Sequence, residues 1–277
     1  SDDDIDNYIP QYCVGNESRY VDPENIMIPS CKITELYDYV SYTNISGLDL
    51  NSETPNQPVD MKSIAGYTNN VYCSPQNLYV VSGYDESEIT RFSVSGGAVA
   101  PQASGKVNGY VNDQFSMSEY NGFFRIAVTE NVWEESTVFA EEDSSIATNA
   151  LVTQKNSLYV LDMDMKVVGS ISDFGINEQI KSVNFSGDTA YAVTFRQTDP
   201  LYAIDLSNPY SPVMLDELKI SGYSSYMQKW GDGLLLGFGA EADEDTVRIT
   251  LFNNGAADLE KVEQSINRDY RNKSHFT

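Results

Sequence analysis

Chemistry in this chain could come from a few arginine and carboxylate pairs set among apolar runs. In SVNFSGDTAYAVTFRQTDPLYAIDLSNPYSP, Arg196 and Asp199 lie between two strand-like segments. Asp199 can cap the turn before Pro200, and Arg196 can reach a neighbouring backbone or carboxylate, or the pair can hold a ligand. Arg125, in YNGFFRIAVT, falls among apolar neighbours, where a guanidinium must be paired to be tolerated, and the acid expected to pair with it is Glu119. If Arg125, Glu119, Arg196 and Asp199 converge, they form a polar ligand pocket.

Other carboxylates suggest an ion. Asp162 and Asp164 of DMDM, and Glu241, Asp243 and Asp245 of EADED, offer alternating oxygen ligands of the kind calcium takes. Asp49, Asn51 and Glu53 of DLNSE do the same, but none of these segments has the glycine and closing glutamate of a full calcium loop. Solvated turn acids are the plainer reading of all three. The one histidine, His275, cannot complete a Ser-His-Asp triad or a His-Glu-x-x-His site, and no Gly-x-Ser-x-Gly elbow or phosphate-cradling glycine loop occurs. Paired carboxylates for glycoside hydrolysis stay open, because the many acids form many pairs and sequence cannot choose among them.

The 277 residues carry a formal net charge of -24, a field that repels nucleic acid phosphates and anionic lipid surfaces. No apolar run approaches the ~20 residues needed to span a bilayer. The start, SDDDIDN, shows neither Met nor signal peptide and reads as a boundary or a processed end. Three cysteines, Cys13, Cys31 and Cys73, cannot make a zinc cluster. A Cys13–Cys31 disulfide is open in an oxidising setting, and Cys73 is expected to be a small buried residue.

The elements that must position these groups recur along the chain. An aromatic-rich strand, a Gly/Asn/Asp turn, a second apolar strand, a polar loop, a third strand, a turn and a fourth strand repeat from Tyr67, Tyr110, Glu178 and Tyr223. Unit starts lie roughly 43 to 45 residues apart, the length of a four-stranded propeller blade. One longer interval holds TENVWEESTVFAEEDSSIATNA, expected as an inserted loop, and residues 39–66 read as the last two strands of an earlier unit. Apolar residues on both faces of the central strands, as at Tyr191, Val193, Leu201, Tyr202 and Ile204, require sheets stacked on both sides. The helical spacing of Leu259, Val262 and Ile266 conflicts with the repeat, which makes that segment an outer strand. The expected fold is all-β, a β-propeller of about four complete four-stranded antiparallel blades plus partial ones. Residues 1–20 are an acidic leader or strap, poorly ordered, and residues 21–277 the propeller.

The motifs DQFSMSEYNGFFRIAVT, NSLYVLDMDMKVVGSI, VTFRQTDPLYAIDLSNPYSPVMLDELKISGY and LLLGFG closely resemble a family of bacterial and archaeal secreted proteins with a β-propeller domain, distantly related to WD-repeat propellers. The resemblance covers residues 20–277. It implies an extracytoplasmic location, no established enzymatic activity, and a family domain longer than this chain, with C-terminal blades beyond it. After LKI the family's Pro-Gly turn and later His are replaced here by Ser221 and Gln228, so no role for that His carries over. The expected function is that of a non-enzymatic secreted or cell-surface binding or scaffold module for protein or glycan partners, with no cofactor unless calcium. A carbohydrate-active enzyme or a calcium-dependent adhesion domain are the alternatives. Open propeller edges suggest self-association.

Overall fold

The structure, a computed structural model, describes residues 8–29, 41–140, 144–195, 199–220, 223–231, 233–240, 247–253 and 260–263. The chain divides into two compact units, Ser1–Asn108 with Met163–Lys166, and Gly109–Asp162 with Val167–Thr277.

In the first unit, β1 (Gln11–Val14) and β2 (Glu17–Tyr20) form a hairpin inside the segment expected as a leader or strap. A three-stranded sheet follows, in which β3 (Ile26–Met27) runs parallel to β5 (Pro58–Ala65), and β4 (Tyr42–Leu48) pairs antiparallel with β5 on its other side. The next sheet is the meander β6 (Thr68–Cys73), β7 (Asn77–Ser82), β8 (Glu86–Ser95) and β9 (Ala98–Asn108). Ile64, Val80, Phe92 and Val99 form the core between these two sheets, all at 3% exposure or less. Each such side chain contributes about 1.5–3 kcal/mol on burial. Cys73 departs from expectation: it ends β6, the first strand of its sheet, and is exposed. Cys31 lies outside the described residues.

The second unit holds three more four-stranded antiparallel sheets. The first is β10 (Met117–Tyr120), β11 (Phe123–Ala140), β12 (Ser144–Leu161) and β13 (Val167–Phe174). The second is β14 (Gln179–Ser186), β15 (Thr189–Phe195), β16 (Asp199–Asp205) and β17 (Val213–Ile220). The third is β18 (Tyr223–Lys229), β19 (Leu234–Ala240), β20 (Val247–Asn253) and β21 (Glu260–Glu263). Val262 is therefore on a strand, in agreement with the repeat. The turn between β10 and β11 shows how sequence sets register. Asn121 and Gly122 both have positive φ, 51° and 78°, as a two-residue hairpin turn requires, and the turn pairs Tyr120 with Phe123.

Alternation along β15 and β16 explains why the sheets stack. Ala190, Ala192, Tyr202 and Ile204 face Ala127, Leu158 and Val160 of the preceding sheet. Their neighbours Tyr191, Val193, Leu201 and Ala203 face Met227, Leu235 and Phe252 of the following one. A strand with both faces buried cannot show a polar side, which is why these runs are almost wholly apolar.

Where successive sheets meet, backbone meets backbone. Gly47 on β4, Gly105 on β9 and Gly169 on β13 lie on the outermost strands of their sheets. A Cβ at Gly47 or Gly169 would overlap a carbonyl oxygen, of Gly97 and Pro209 respectively, each in the turn between the third and fourth strands of the following repeat, and a Cβ at Gly105 would overlap the Met165 carbonyl oxygen.

Within the interval expected as an inserted loop, residues 129–140 and 144–150 are strand. β11 and β12 each run 18 residues and pair from Phe124↔Leu161 out to Ala140↔Ser144, with one bulge between Val132 and Trp133. β10 covers β11 only from Phe123 to Ile126, and β13 covers β12 only from Leu161 back to Asn156. Past Thr129, which bridges to Tyr110, and Gln154, the two strands pair only with each other among the described residues, as a two-stranded ribbon.

Candidate functional site

At the end of the second unit's first two sheets where β14 begins, a groove of about 440 Å³ is lined by Leu151, Thr153, Gln154, Asn177, Gln179, Lys181 and Phe195. β12 supplies the first three, the link from β13 to β14 supplies Asn177, β14 supplies Gln179 and Lys181, and β15 ends at Phe195. The polar groups are held in place by one another. Thr153 Oγ1 donates to Asn177 Oδ1 at 2.8 Å, Gln154 Nε2 to Asn131 Oδ1 at 2.8 Å, and the Asn177 N–H to the Gln154 carbonyl at 2.8 Å. The Lys181 ammonium lies 5.8 Å from the Phe195 ring centroid.

A buried polar network forms the floor. Asn156, fully buried, aims its amide NH2 at the carbonyls of Phe174, Gly175 and Glu178, at 3.1, 2.9 and 3.1 Å. Its Oδ1 accepts from Thr129 Oγ1 at 2.7 Å, and that hydroxyl in turn accepts from the Ile180 N–H at 3.1 Å. Thr194 Oγ1 donates to Glu178 Oε2 at 2.5 Å. Burial, with the charges of Glu217 and Glu178 nearby, pushes the Tyr202 hydroxyl up to about 12, so it stays a neutral phenol against this network. A satisfied buried network rigidifies the link that presents Asn177.

At the opposite end of the same two sheets, a cavity of about 220 Å³ is lined by Tyr120, Phe123, Arg125, Asp188, Ser207 and Pro209 among others. Arg125 is 4% exposed. It donates Nη1 to the Gly187 carbonyl at 2.5 Å and Nη2 to Ser118 Oγ at 2.6 Å. Its guanidinium lies 5.0 Å from the Tyr120 ring centroid and 4.8 Å from that of Phe185. Gly187 and Phe185 belong to the neighbouring sheet, so Arg125 ties one sheet to the next. Ser118, not Glu119, sits opposite Arg125, and Glu119 sits opposite Phe124.

The remaining sequence candidates are scattered. Asp199 opens β16 opposite Ile220, but its side chain lies outside the described residues, as do Arg196, Glu241, Asp243 and Asp245. In sequence, Arg196 directly follows Phe195, the last residue of β15. Asp164 is exposed and 3.7 Å from Lys166. Asp162 follows the last residue of β12. Asp49 Oδ1 accepts the Asn51 N–H at 2.9 Å, a turn-capping role. Among the described residues no group of three or more Asp, Glu, His or Cys is placed to hold a metal ion, and no helix is long and apolar enough to cross a membrane.

Residues 1–274 match the family described as beta propeller domain. The chain belongs to that family. Within it, the propeller is 41% identical over 150 residues to an uncharacterised protein of Methanocaldococcus jannaschii, covering 54% of this chain and 22% of that protein. It is 38% identical over 169 residues to an uncharacterised protein of Archaeoglobus fulgidus, covering 61% of this chain and 23% of that one. The matches thus span under a quarter of the length of these relatives. Among solved structures, a Synechocystis apocarotenoid oxygenase mutant aligns over 83% of this propeller and 57% of its own chain, with 11% identity and a TM-score of 0.44.

Proposed function

We propose that the protein is a secreted or cell-surface propeller module that binds a protein or glycan partner without catalysis. The observation that carries this reading is the groove at the start of β14. It offers amide and hydroxyl groups, one lysine and one aromatic ring, and no carboxylate among its lining residues. Side-chain amides can both donate to and accept from sugar hydroxyls, and a ring gives the apolar face of a sugar a surface to cover. Lys181 favours a glycan that carries carboxylates. The pre-formed floor keeps the ordering cost of binding low.

A glycan array probed with the 277-residue chain and with Lys181→Ala and Phe195→Ala tests this. Binding to acidic glycans that falls at least tenfold in both variants is the expected result, and binding indifferent to both overturns the groove assignment. The carbohydrate-active enzyme is separated by assaying any bound glycan for reducing-end release, which the binding reading expects to be nil.

A further inference from the structure

Past Thr129, which bridges to Tyr110, and Gln154, whose carbonyl takes the Asn177 N–H, the strands β11 and β12 pair only with each other among the described residues. Residues 130–140 and 144–153 therefore present two outer edges, each with alternate N–H and C=O groups that no described strand takes up. A bare two-stranded ribbon is marginal in water, and an open edge is a template for a further strand. At the ribbon's base Trp133 and Leu151 are cross-strand partners, 50% and 47% exposed. An exposed Trp beside an exposed Leu is the composition of an interface anchor.

Charge selects the occupant. Glu130, Glu134 and Glu135 fall on β11 in this stretch, and the sequence has no lysine or arginine from residue 126 to 154. Two copies of the ribbon laid edge to edge would bring like charges together, which is how natural edges resist self-pairing. A strand bearing basic side chains meets the opposite field.

We propose that the β11–β12 ribbon receives an extended, lysine- or arginine-rich segment of a partner protein as an added strand, anchored on Trp133 and Leu151. This surface shares Leu151 with the groove, extends away from it along the ribbon, and does not rest on the groove's taking a glycan.

The probe is a labelled peptide of about ten residues, the length of a long strand, alternating lysine and valine, compared with the same peptide carrying glutamate for lysine. Binding is followed by anisotropy, and by Trp133 emission in a Trp230→Phe background. The lysine peptide is expected to bind at least about tenfold tighter than the glutamate one, to shift Trp133 emission to the blue, and to weaken as salt is raised. Replacing residues 134–150 with an Asn-Gly turn rejoins Trp133 to its partner Leu151 in the geometry of a two-residue hairpin and leaves the groove lining in place. That variant should lose peptide binding and keep glycan binding. Should the shortened hairpin fail to fold, the triple change Glu130→Gln, Glu134→Gln and Glu135→Gln is expected to weaken the lysine peptide several-fold. Equal binding of both peptides, undiminished binding by these variants, or a ribbon-dependent dimer of the chain overturns the proposal.

Discussion

Replacing Arg125 by methionine distinguishes a residue that joins sheets from one that holds a ligand. Methionine keeps an unbranched apolar stem between Tyr120 and Phe185 but leaves the Gly187 carbonyl and the Ser118 hydroxyl without the guanidinium. Hydrogen bonds to a charged group are worth about 1.5–3 kcal/mol each. Ring contacts add about 0.5–2 kcal/mol each when desolvated. Against this stands the desolvation of a charge that is only 4% exposed, which its removal recovers. The balance is a loss of about 2–4 kcal/mol, read in urea as a lower midpoint at unchanged slope. Arg125→Lys should recover less than half, because an ammonium cannot reach both acceptors as a fork or lie flat between two rings. Glycan binding at the groove, at the far end of the same sheets, should be unaffected by a change that leaves the chain folded. A loss under about 0.5 kcal/mol for the methionine variant would refute the tie between sheets.

Gly169→Ala should destabilise by about 1–3 kcal/mol, since its methyl overlaps the Pro209 carbonyl and backbone must move. At about 2–4 °C per kcal/mol the thermal midpoint reports it, with exposed Ser170→Ala as the unchanged neighbour. Asp60→Asn should cost about 1 kcal/mol near neutrality. Burial alone would raise the Asp60 pKa, but hydrogen bonds from Lys62, at 2.5 Å, and the Val99 N–H, at 3.0 Å, with the Lys62 charge, outweigh it and hold the carboxyl below its ordinary value. A depressed folded pKa stabilises above the unfolded value of about 3.9. The difference between wild type and variant should therefore be full above about pH 5 and shrink as pH falls through 4. A gap that is constant with pH would rule out the carboxylate as its source.

The repeat was legible because propeller strands buried on both faces combine apolar runs with regular turns, as β15 and β16 do. The ribbon was not. Adjacent charges at Glu134 and Glu135 on β11, and the extra residue Val152 that the register skips on β12 opposite Val132 and Trp133, interrupt the period of two by which a strand is recognised. The neighbour of Arg125 could have been counted. Once Asn121 and Gly122 are taken as a two-residue turn, pairing Tyr120 with Phe123 places Ser118 opposite Arg125, one residue from the acid that charge alone suggests. The groove had no linear signature at all, since Gln154, Lys181 and Phe195 come from three strands of two sheets and meet only when those sheets stack. Cys73 was misplaced because hydrophobic character says little about exposure on a strand at a sheet's edge.

The glycines at positions 47 and 169 act as a ruler. A methyl-free spot that a following turn backs into sets the step from sheet to sheet by main-chain atoms, whose dimensions do not vary with sequence. The facing side chains are then free to range from Ala127 and Ala190 to Phe92 and Phe252 without altering that step. Strands as unlike as YTNISGL and VVGSISDF can therefore serve the same place in their repeats. The trait they share is a missing side chain, so the repeat keeps its pitch while almost every letter of it drifts.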